Sequence, residues 1–309
     1  MILTICPNPS IDCTIELDSL NVGMLNRIDN KVETYSGKAL NVAIGVARLG
    51  EKCLTTGFMF DNHKRMFEHV LENEGVDYNF IYNKGNARTN YKIIDKRSML
   101  TEINDRGEEI SLDKQLELLH LVEKISPEAD IATVCGSLPK GVDSDYYGQI
   151  VKRIPKHVKV VVDAERDNTL SAIGSREIFM VKPNQKEFER FFGITVRGIS
   201  DIVKGATRYL DMGVQNVLVS LGTEGAVFVN HSESLYCKSA SVAVNSTVGA
   251  GDSMVAAACV GITRGVPFAE MLKMSVAAGT AAVTTSGTNL FFPDKYKEIY
   301  TKLSVESVK

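Results

Sequence analysis

No two of the six cysteines in this chain (Cys6, Cys13, Cys53, Cys135, Cys237 and Cys259) form a Cys-x-x-Cys pair or share a metal-ligand spacing with a histidine. The sequence therefore signals neither a zinc site nor a disulfide framework, and the thiols are expected as reduced core residues. An excess of one charge is also missing: 35 Lys and Arg against 38 Asp and Glu leave a net charge of -3, so nucleic acid and an anionic membrane surface are not expected partners. No apolar run is long enough to span a bilayer, and the apolar stretch at 2–6 has no basic region ahead of it, so a cytoplasmic protein is expected. Internal repeats and low-complexity tracts are absent, and the five histidines fall outside every motif described below. Neither common nucleotide fingerprint is present. Gly249-Ala250-Gly251 lacks the third glycine of G-x-G-x-x-G, and Ser36-Gly37-Lys38-Ala39 lacks the upstream glycine of a Walker A loop.

What is present is an α/β rhythm over 309 residues, 44% of them hydrophobic, enough for a sizeable core. Strands are expected at 2–6, 12–17, 27–32 and 53–58, with a helix from a Ser36 cap through residue 49 and another at 63–73. Two further strand-like stretches, 89–94 and 98–103, have no helix between them and are expected to pair with 12–17 as a small antiparallel lid. From residue 112 helices (112–125, 145–153, 185–192, 202–212) alternate with strands (131–135, 158–163, 178–181, 216–220), the pattern of a parallel sheet covered on both faces. Residues 226–229 and 235–237 suggest an antiparallel edge, and two apolar helices, 253–264 and 268–284, close the chain. We expect one domain over 1–309, its lid drawn from about 10–35 and 87–110.

Chemistry concentrates at Thr247-Val248-Gly249-Ala250-Gly251-Asp252-Ser253, a small-residue turn opening into an apolar helix. Unpaired amides at a helix start and the helix dipole favour an anion there, and Asp252 beside it could take the proton of an attacking hydroxyl. An ordinary loop ending in an Asp cap is the bland alternative. Ser220-Leu221-Gly222-Thr223-Glu224-Gly225 follows a strand and offers amides and hydroxyls to nucleotide phosphates or ribose, or is simply a hairpin turn. Asn184 and Glu187 suit the ordering of water around magnesium, and equally a capping box; the two readings do not exclude one another.

Together these motifs, with Asn8-Pro9-Ser10-Ile11-Asp12 near the N-terminus, identify a resemblance to the ribokinase-like (PfkB) carbohydrate kinases over essentially the whole chain. The resemblance is strongest to their hexose-phosphate branch, which holds 1-phosphofructokinase, tagatose-6-phosphate kinase and a minor 6-phosphofructokinase. It implies a ribokinase-like three-layer α/β fold with a mostly parallel central sheet and a small antiparallel β lid. It implies Asp252 as general base, with the amides of Gly249, Ala250 and Gly251 as anion hole. Sugar-phosphate contacts are implied for Asp12, Gly37, Lys38, Asn41, Arg88 and Ser137, with Arg27 reaching in from the lid. ATP contacts are implied for Lys182, Asn184, Ser220, Gly222, Thr223, Gly225, Val248 and, near the adenine, Ala278, and Mg2+ is implied at Glu187 through water.

The side chains suit those roles. Asp12 can accept from two sugar hydroxyls, while Lys38 and Arg88 supply cations for a substrate already carrying a phosphate. The alternatives are that Asp12 and Arg88 are paired surface charges and Lys38 a solvated residue. Two departures stand out: Ser36 and Ala39 replace glycines of the branch's Gly-Gly-Lys-Gly run, and Glu165 and Arg166 follow Asp163 where small residues are usual. Thr101-Glu102-Ile103-Asn104 resembles the 1-phosphofructokinase members. The expected reaction is ATP-dependent phosphorylation of a ketohexose monophosphate, fructose 1-phosphate first, with tagatose 6-phosphate or fructose 6-phosphate as alternatives. A non-catalytic sugar-phosphate sensor is the alternative of a different class. The partners expected are small molecules, together with a second copy through exposed lid strands.

Overall fold

Ile2 to Cys6 is completely buried and apolar but for Thr4, whose hydroxyl donates to Thr55 Oγ1 at 2.8 Å, as suits a strand covered on both faces, and it lies inside the larger of two sheets. The computed structural model describes residues 1–97, 99–285 and 290–308. In chain order the elements are β1 (Ile2–Cys6), β2 (Ser10–Leu17), β3 (Asn30–Ser36), α1 (Lys38–Arg48), β4 (Cys53–Phe60), α2 (Lys64–Asn73), β5 (Asp77–Asn83), β6 (Arg88–Asp95), β7 (Leu100–Asn104) and α3 (Leu112–Ile125). There follow β8 (Ile131–Cys135), α4 (Asp145–Arg153), β9 (Lys159–Asp163), α5 (Arg166–Ser175), β10 (Ile178–Val181), α6 (Gln185–Phe192), α7 (Ile199–Asp211), β11 (Val214–Ser220), β12 (Ala226–Asn230) and β13 (Ser234–Cys237). The chain ends with α8 (Ala250–Thr263), α9 (Phe268–Ala282), α10 (Pro293–Tyr300) and β14 (Val305–Ser307).

The ten-stranded sheet runs β14-β13-β12-β11-β10-β9-β8-β1-β4-β5. It is parallel from β11 to β5, and β12 and β13 add the expected antiparallel edge, which β14 extends. Helices α1, α8, α9 and α10 pack on one another over one face, and α3, α4 and α5 form the layer on the other. Helices α1 and α8 approach closely: a Cβ on Gly45 would stand 2.6 Å from the Cβ of Ala256, so glycine is what permits this distance. That contact carries Lys38 and Asn41, at the start of α1, toward the start of α8. Because β1, β8, β9 and β10 are parallel, the loops after Cys6, Cys135, Asp163 and Val181 all emerge along one edge, where open sheets of this kind place their ligands.

The smaller sheet, β3-β2-β6-β7, is the lid. It is antiparallel in its outer pairs, β2 with β3 and β6 with β7, but its central pair, β2 with β6, runs parallel, a correction to the antiparallel pairing expected for 89–94 against 12–17. The cause is topological. β2 follows β1 and β6 follows β5; those feeder strands run the same way in the large sheet, so both segments enter the lid in one direction. The strand expected at 27–32 lies instead at Asn30–Ser36, its register fixed by the ladder from Ser10 opposite Ser36 to Glu16 opposite Asn30. Ser36 is thus the last residue of a strand and not a helix cap; Gly37 takes the N-cap position of α1. Residue 98, in the strand expected at 98–103, lies outside the described residues. Strands β5 and β14 and helices α5 and α10 were not anticipated. Among the described residues no helix is long and apolar enough to cross a membrane.

Candidate active site

Helix α8 starts at Ala250, three residues before the start expected at 253, with Gly249 as N-cap at φ 77. Ala250, Gly251 and Asp252 therefore form its first turn, where backbone amides lack helical partners and the dipole is positive. Asp252 is only 7% exposed. Its Oδ2 accepts a hydrogen bond of 2.7 Å from Asn41 Nδ2 on α1. Burial pushes the carboxyl up to about 6; Lys38, the Asn41 hydrogen bond and Lys182 pull it down, and Asp163 adds to the rise. A carboxylate poised there is a competent proton acceptor near neutral pH.

Asp163, at the end of β9, lies between two cations. Its Oδ1 accepts from Lys38 Nζ at 3.1 Å, and its Oδ2 is 3.4 Å from Lys182 Nζ. Asp163 and Lys182 are buried, while Lys38 keeps part of its side chain in solvent. Burial opposes the charge on Asp163, but Lys182 and Lys38 outweigh it and hold the carboxyl below its ordinary range. Burial likewise works against charge on Lys38, yet Asp163, Asp252 and Glu187 together raise its pKa. The Lys182 ammonium lies against the first turn of α8: a Cβ on Gly251 would stand 3.2 Å from its Nζ. The helix start therefore has cationic company that its own residues do not provide, and an anion held there would meet amides and an ammonium together.

At the lid end Asp12 is buried and already meets three donors, short of the about four a carboxylate can accept. Lys92 Nζ lies 3.1 Å from its Oδ2, Asn90 Nδ2 donates to its Oδ1 at 3.1 Å, and Ser10 Oγ donates to the same oxygen at 3.5 Å. Its ion-pair partner is thus Lys92 and not Arg88, which rules out the surface pair considered from the sequence. Arg88 reaches the carbonyls of Asp105 and Asn8, each at 3.4 Å, and Asn8 Nδ2 donates to Ser137 Oγ at 3.3 Å. Burial lowers the Arg88 pKa, partly offset by Asp12, Asp105 and Glu165. Arg88 Nε, Asn8 Oδ1 and Asn90 Oδ1 are buried without a hydrogen-bond partner among the described residues. Polar atoms left so are costly unless a ligand completes them. Gly37 has φ 146, and a Cβ there would meet Cys6 Sγ at 3.1 Å and Pro9 Cα at 3.2 Å, so glycine is required where the lid strand turns into α1.

Ser36 and Ala39, on either side of Gly37 and Lys38, are both buried, and Ser36 Oγ donates to Asn41 Oδ1 at 3.1 Å. Asn41 therefore spends both ends of its amide on protein groups, one of them Asp252. Arg27 stands apart, exposed in the loop between β2 and β3.

The nucleotide motifs gather along the same edge. Asn184 and Ser220 form a β-bridge, and Ser220 N donates to Pro183 O at 3.1 Å. Asn184 and Glu187 form a complete capping box at the start of α6: Glu187 N donates to Asn184 Oδ1 at 2.9 Å and Asn184 N to Glu187 Oε2 at 2.8 Å. Gly222 and Thr223 are exposed on a 3-10 turn joining β11 to β12, and Gly225 closes it, so the hairpin alternative describes the backbone correctly. Val248 is half-buried and donates its N–H to Ser246 Oγ at 3.2 Å. Ala278 is fully buried within α9. Among the described residues no group of three or more His, Cys, Asp or Glu could hold a metal ion.

The sequence reading passed over Asp163, Lys92, Asn90 and Asn8 as site residues. Asp163 carried one usable signal, an acid closing an apolar strand at the edge where the other motifs lie. Lys92 and Asn90 alternate with Arg88 on β6, so all three face the same side of the lid.

Comparison with known proteins places the chain among sugar kinases. A sequence model described as pfkB family carbohydrate kinase matches residues 8–295. The 1-phosphofructokinase of Vibrio cholerae is 26% identical over 99% of this chain and 97% of its own length. The tagatose-6-phosphate kinase of Staphylococcus epidermidis is 30% identical over 100% of both. The structure of phosphofructokinase-2 from Escherichia coli in complex with substrates and products superposes with a TM-score of 0.91 at 28% identity, covering 97% of this chain and 98% of that one.

Proposed function

The chain belongs to the pfkB family of carbohydrate kinases, and from that membership we propose that it transfers the terminal phosphoryl group of ATP to a free hydroxyl of a ketohexose monophosphate in the cytoplasm. Fructose 1-phosphate, giving fructose 1,6-bisphosphate, is the first choice; tagatose 6-phosphate and fructose 6-phosphate are the near alternatives. The observation that carries this reading is Asp252, a buried carboxylate in the first turn of α8, tied to Asn41 and flanked by the Lys38-Asp163-Lys182 cluster.

The sugar hydroxyl oxygen attacks the γ-phosphorus while Asp252 takes its proton. The new O–P bond forms as the bond to the β,γ-bridging oxygen breaks, and ADP leaves with that electron pair. The amides of Gly249, Ala250 and Gly251, with Lys182 beside them, stabilise charge on the transferring group. No covalent enzyme intermediate is required. At the other end of the sugar, Asp12 accepts from hydroxyls, and Arg88, with its unsatisfied Nε, holds the phosphate the substrate already carries. Ser137 and Gly37 border that pocket.

Mg2+ would supply charge neutralisation on the ATP phosphates. The donor set fits a cation that keeps its waters: one partly exposed carboxylate, Glu187, oriented by Asn184, and no cluster of protein ligands among the described residues. Lys182, Ser220, Gly222, Thr223, Gly225 and Val248 would line the nucleotide. The lid completes the reading. β7 is exposed along its length, with Leu100 and Ile103 in solvent, and Val22, Met24 and Leu25 project from the β2–β3 loop. A second copy of this chain would cover them, and Arg27 on that loop would then stand near the paired lids.

Steady-state kinetics with ATP and Mg2+ on fructose 1-phosphate, fructose 6-phosphate, tagatose 6-phosphate and free fructose test the proposal. A ketohexose monophosphate should be the best substrate, with fructose 1-phosphate leading. A better rate with free fructose, or with none of the four, would overturn it.

A further inference from the structure

Ser36, the last residue of β3, turns its hydroxyl toward α1. Ser36 Oγ donates to Asn41 Oδ1 at 3.1 Å, and Asn41 Nδ2 donates to Asp252 Oδ2 at 2.7 Å. The three side chains are 3%, 6% and 7% exposed, so solvent does not replace either bond. Among the described residues Asp252 Oδ1 accepts no hydrogen bond.

We propose that Ser36 is a positioning residue for the base: by satisfying the carbonyl end of the Asn41 amide it holds the NH2 end on Asp252 Oδ2 and leaves Oδ1 to receive the substrate proton. Its consequence for rate rests on the kinase reading; its geometry does not. Without the Ser36 hydroxyl, Asn41 Oδ1 would be buried with no donor. The amide could then relieve that cost only by turning, which would withdraw the donor from Asp252. A hydrogen bond to the ionised form favours that form, so its loss moves the carboxyl toward protonation. The charged groups that act on Asp252 are Lys38 on α1, Asp163 on β9 and Lys182 after β10, and a neutral change at residue 36 alters none of them.

The test compares Ser36→Ala, Ser36→Gly and Ser36→Thr with the unaltered chain. The Asp252 carboxyl is titrated by 13C NMR, its resonance identified by its loss in Asp252→Asn. The midpoint should rise by about half a pH unit or more in Ser36→Ala and Ser36→Gly and return in Ser36→Thr. With the best sugar phosphate, kcat should fall by about three- to tenfold in the first two variants while KM changes less than about twofold. Equal midpoints in folded variants would overturn the proposal. Failure of all three to fold would do so as well, by making Ser36 a folding residue. If the unaltered chain phosphorylates no ketohexose phosphate but the midpoint still moves, the relay stands and the kinase reading falls.

Discussion

Asp163 and Lys182 are buried together, Oδ2 to Nζ at 3.4 Å, on the ends of neighbouring strands, and the same carboxylate holds Lys38 at 3.1 Å through its other oxygen. One acid thus sets the place of two cations facing α8. Removing it would leave Lys182 charged and unpaired in the interior. Asp163→Asn should cost about 2–4 kcal/mol of stability, somewhat below the usual figure for a broken buried pair because Lys38 is partly in solvent. Activity should fall more than either lysine-to-alanine change alone would suggest, since both cations lose their anchor. Urea denaturation and kcat, measured together, check this; a variant of unaltered stability would mean the pair is solvated.

The pH dependence follows from Asp252, whose carboxyl is raised by burial to about 6. As base it must be ionised, so kcat should fall as pH drops through about 6. Stability runs the other way. The native state binds a proton more tightly than the unfolded chain, so Asp252 destabilises the fold progressively as pH rises from about 4 to 6. A shift of about two units corresponds to about 3 kcal/mol at most. Asp252→Asn should accordingly raise Tm at pH 7.5 and leave it nearly unchanged at pH 4. An equal effect at both pH values would show that the carboxyl is not strained by burial.

Glu187 serves both as the N3 member of the α6 capping box and as the proposed water-mediated magnesium ligand. Glu187→Gln keeps a side-chain acceptor for Asn184 N but removes the charge. The Mg2+ concentration for half-maximal rate should rise severalfold, with stability changed by no more than about 1 kcal/mol. A magnesium titration unmoved by the change would leave Glu187 a helix cap alone.

Among the described residues Arg88 Nε is buried without a hydrogen-bond partner, at the end of the site proposed above for the sugar phosphate. Arg88→Ala should lower kcat/KM for the preferred sugar phosphate by about one to two orders of magnitude and leave the KM for ATP nearly as it was. Weaker ATP binding instead would place Arg88 on the nucleotide side and contradict the orientation assigned to the substrate.

What the sequence disclosed, and what it withheld, divides along physical lines. The turn at Gly249-Ala250-Gly251 and the Asn184-Glu187 spacing were legible because cap and helix start are adjacent in sequence. The alternation of apolar strands and helices after residue 112 was legible for the same reason. Asp163 was not, because its partners Lys38 and Lys182 arrive from other strands and helices, Lys38 from 125 residues away. The parallel pairing of β2 with β6 depends on how β1 and β5 run in another sheet, which no local pattern records. β5, Asp-Tyr-Asn-Phe-Ile-Tyr-Asn, carries a polar/apolar alternation that breaks at Ile81 and is the weak local signal of a strand; its pairing with β4 shows it. From sequence Ser36 reads as a helix cap and as a departure from a glycine; its partner Asn41, five residues on, shows it to be a hydrogen-bond donor inside the fold.

The central claim is that Asp252 is the base for phosphoryl transfer to a sugar phosphate. The most direct measurement is ADP release from ATP and fructose 1-phosphate by the unaltered chain and by Asp252→Asn, with calorimetric affinities for both ligands in each. The account predicts affinities that agree within a few-fold and a kcat at least about two orders of magnitude lower in the variant. Near-normal kcat in Asp252→Asn would contradict it.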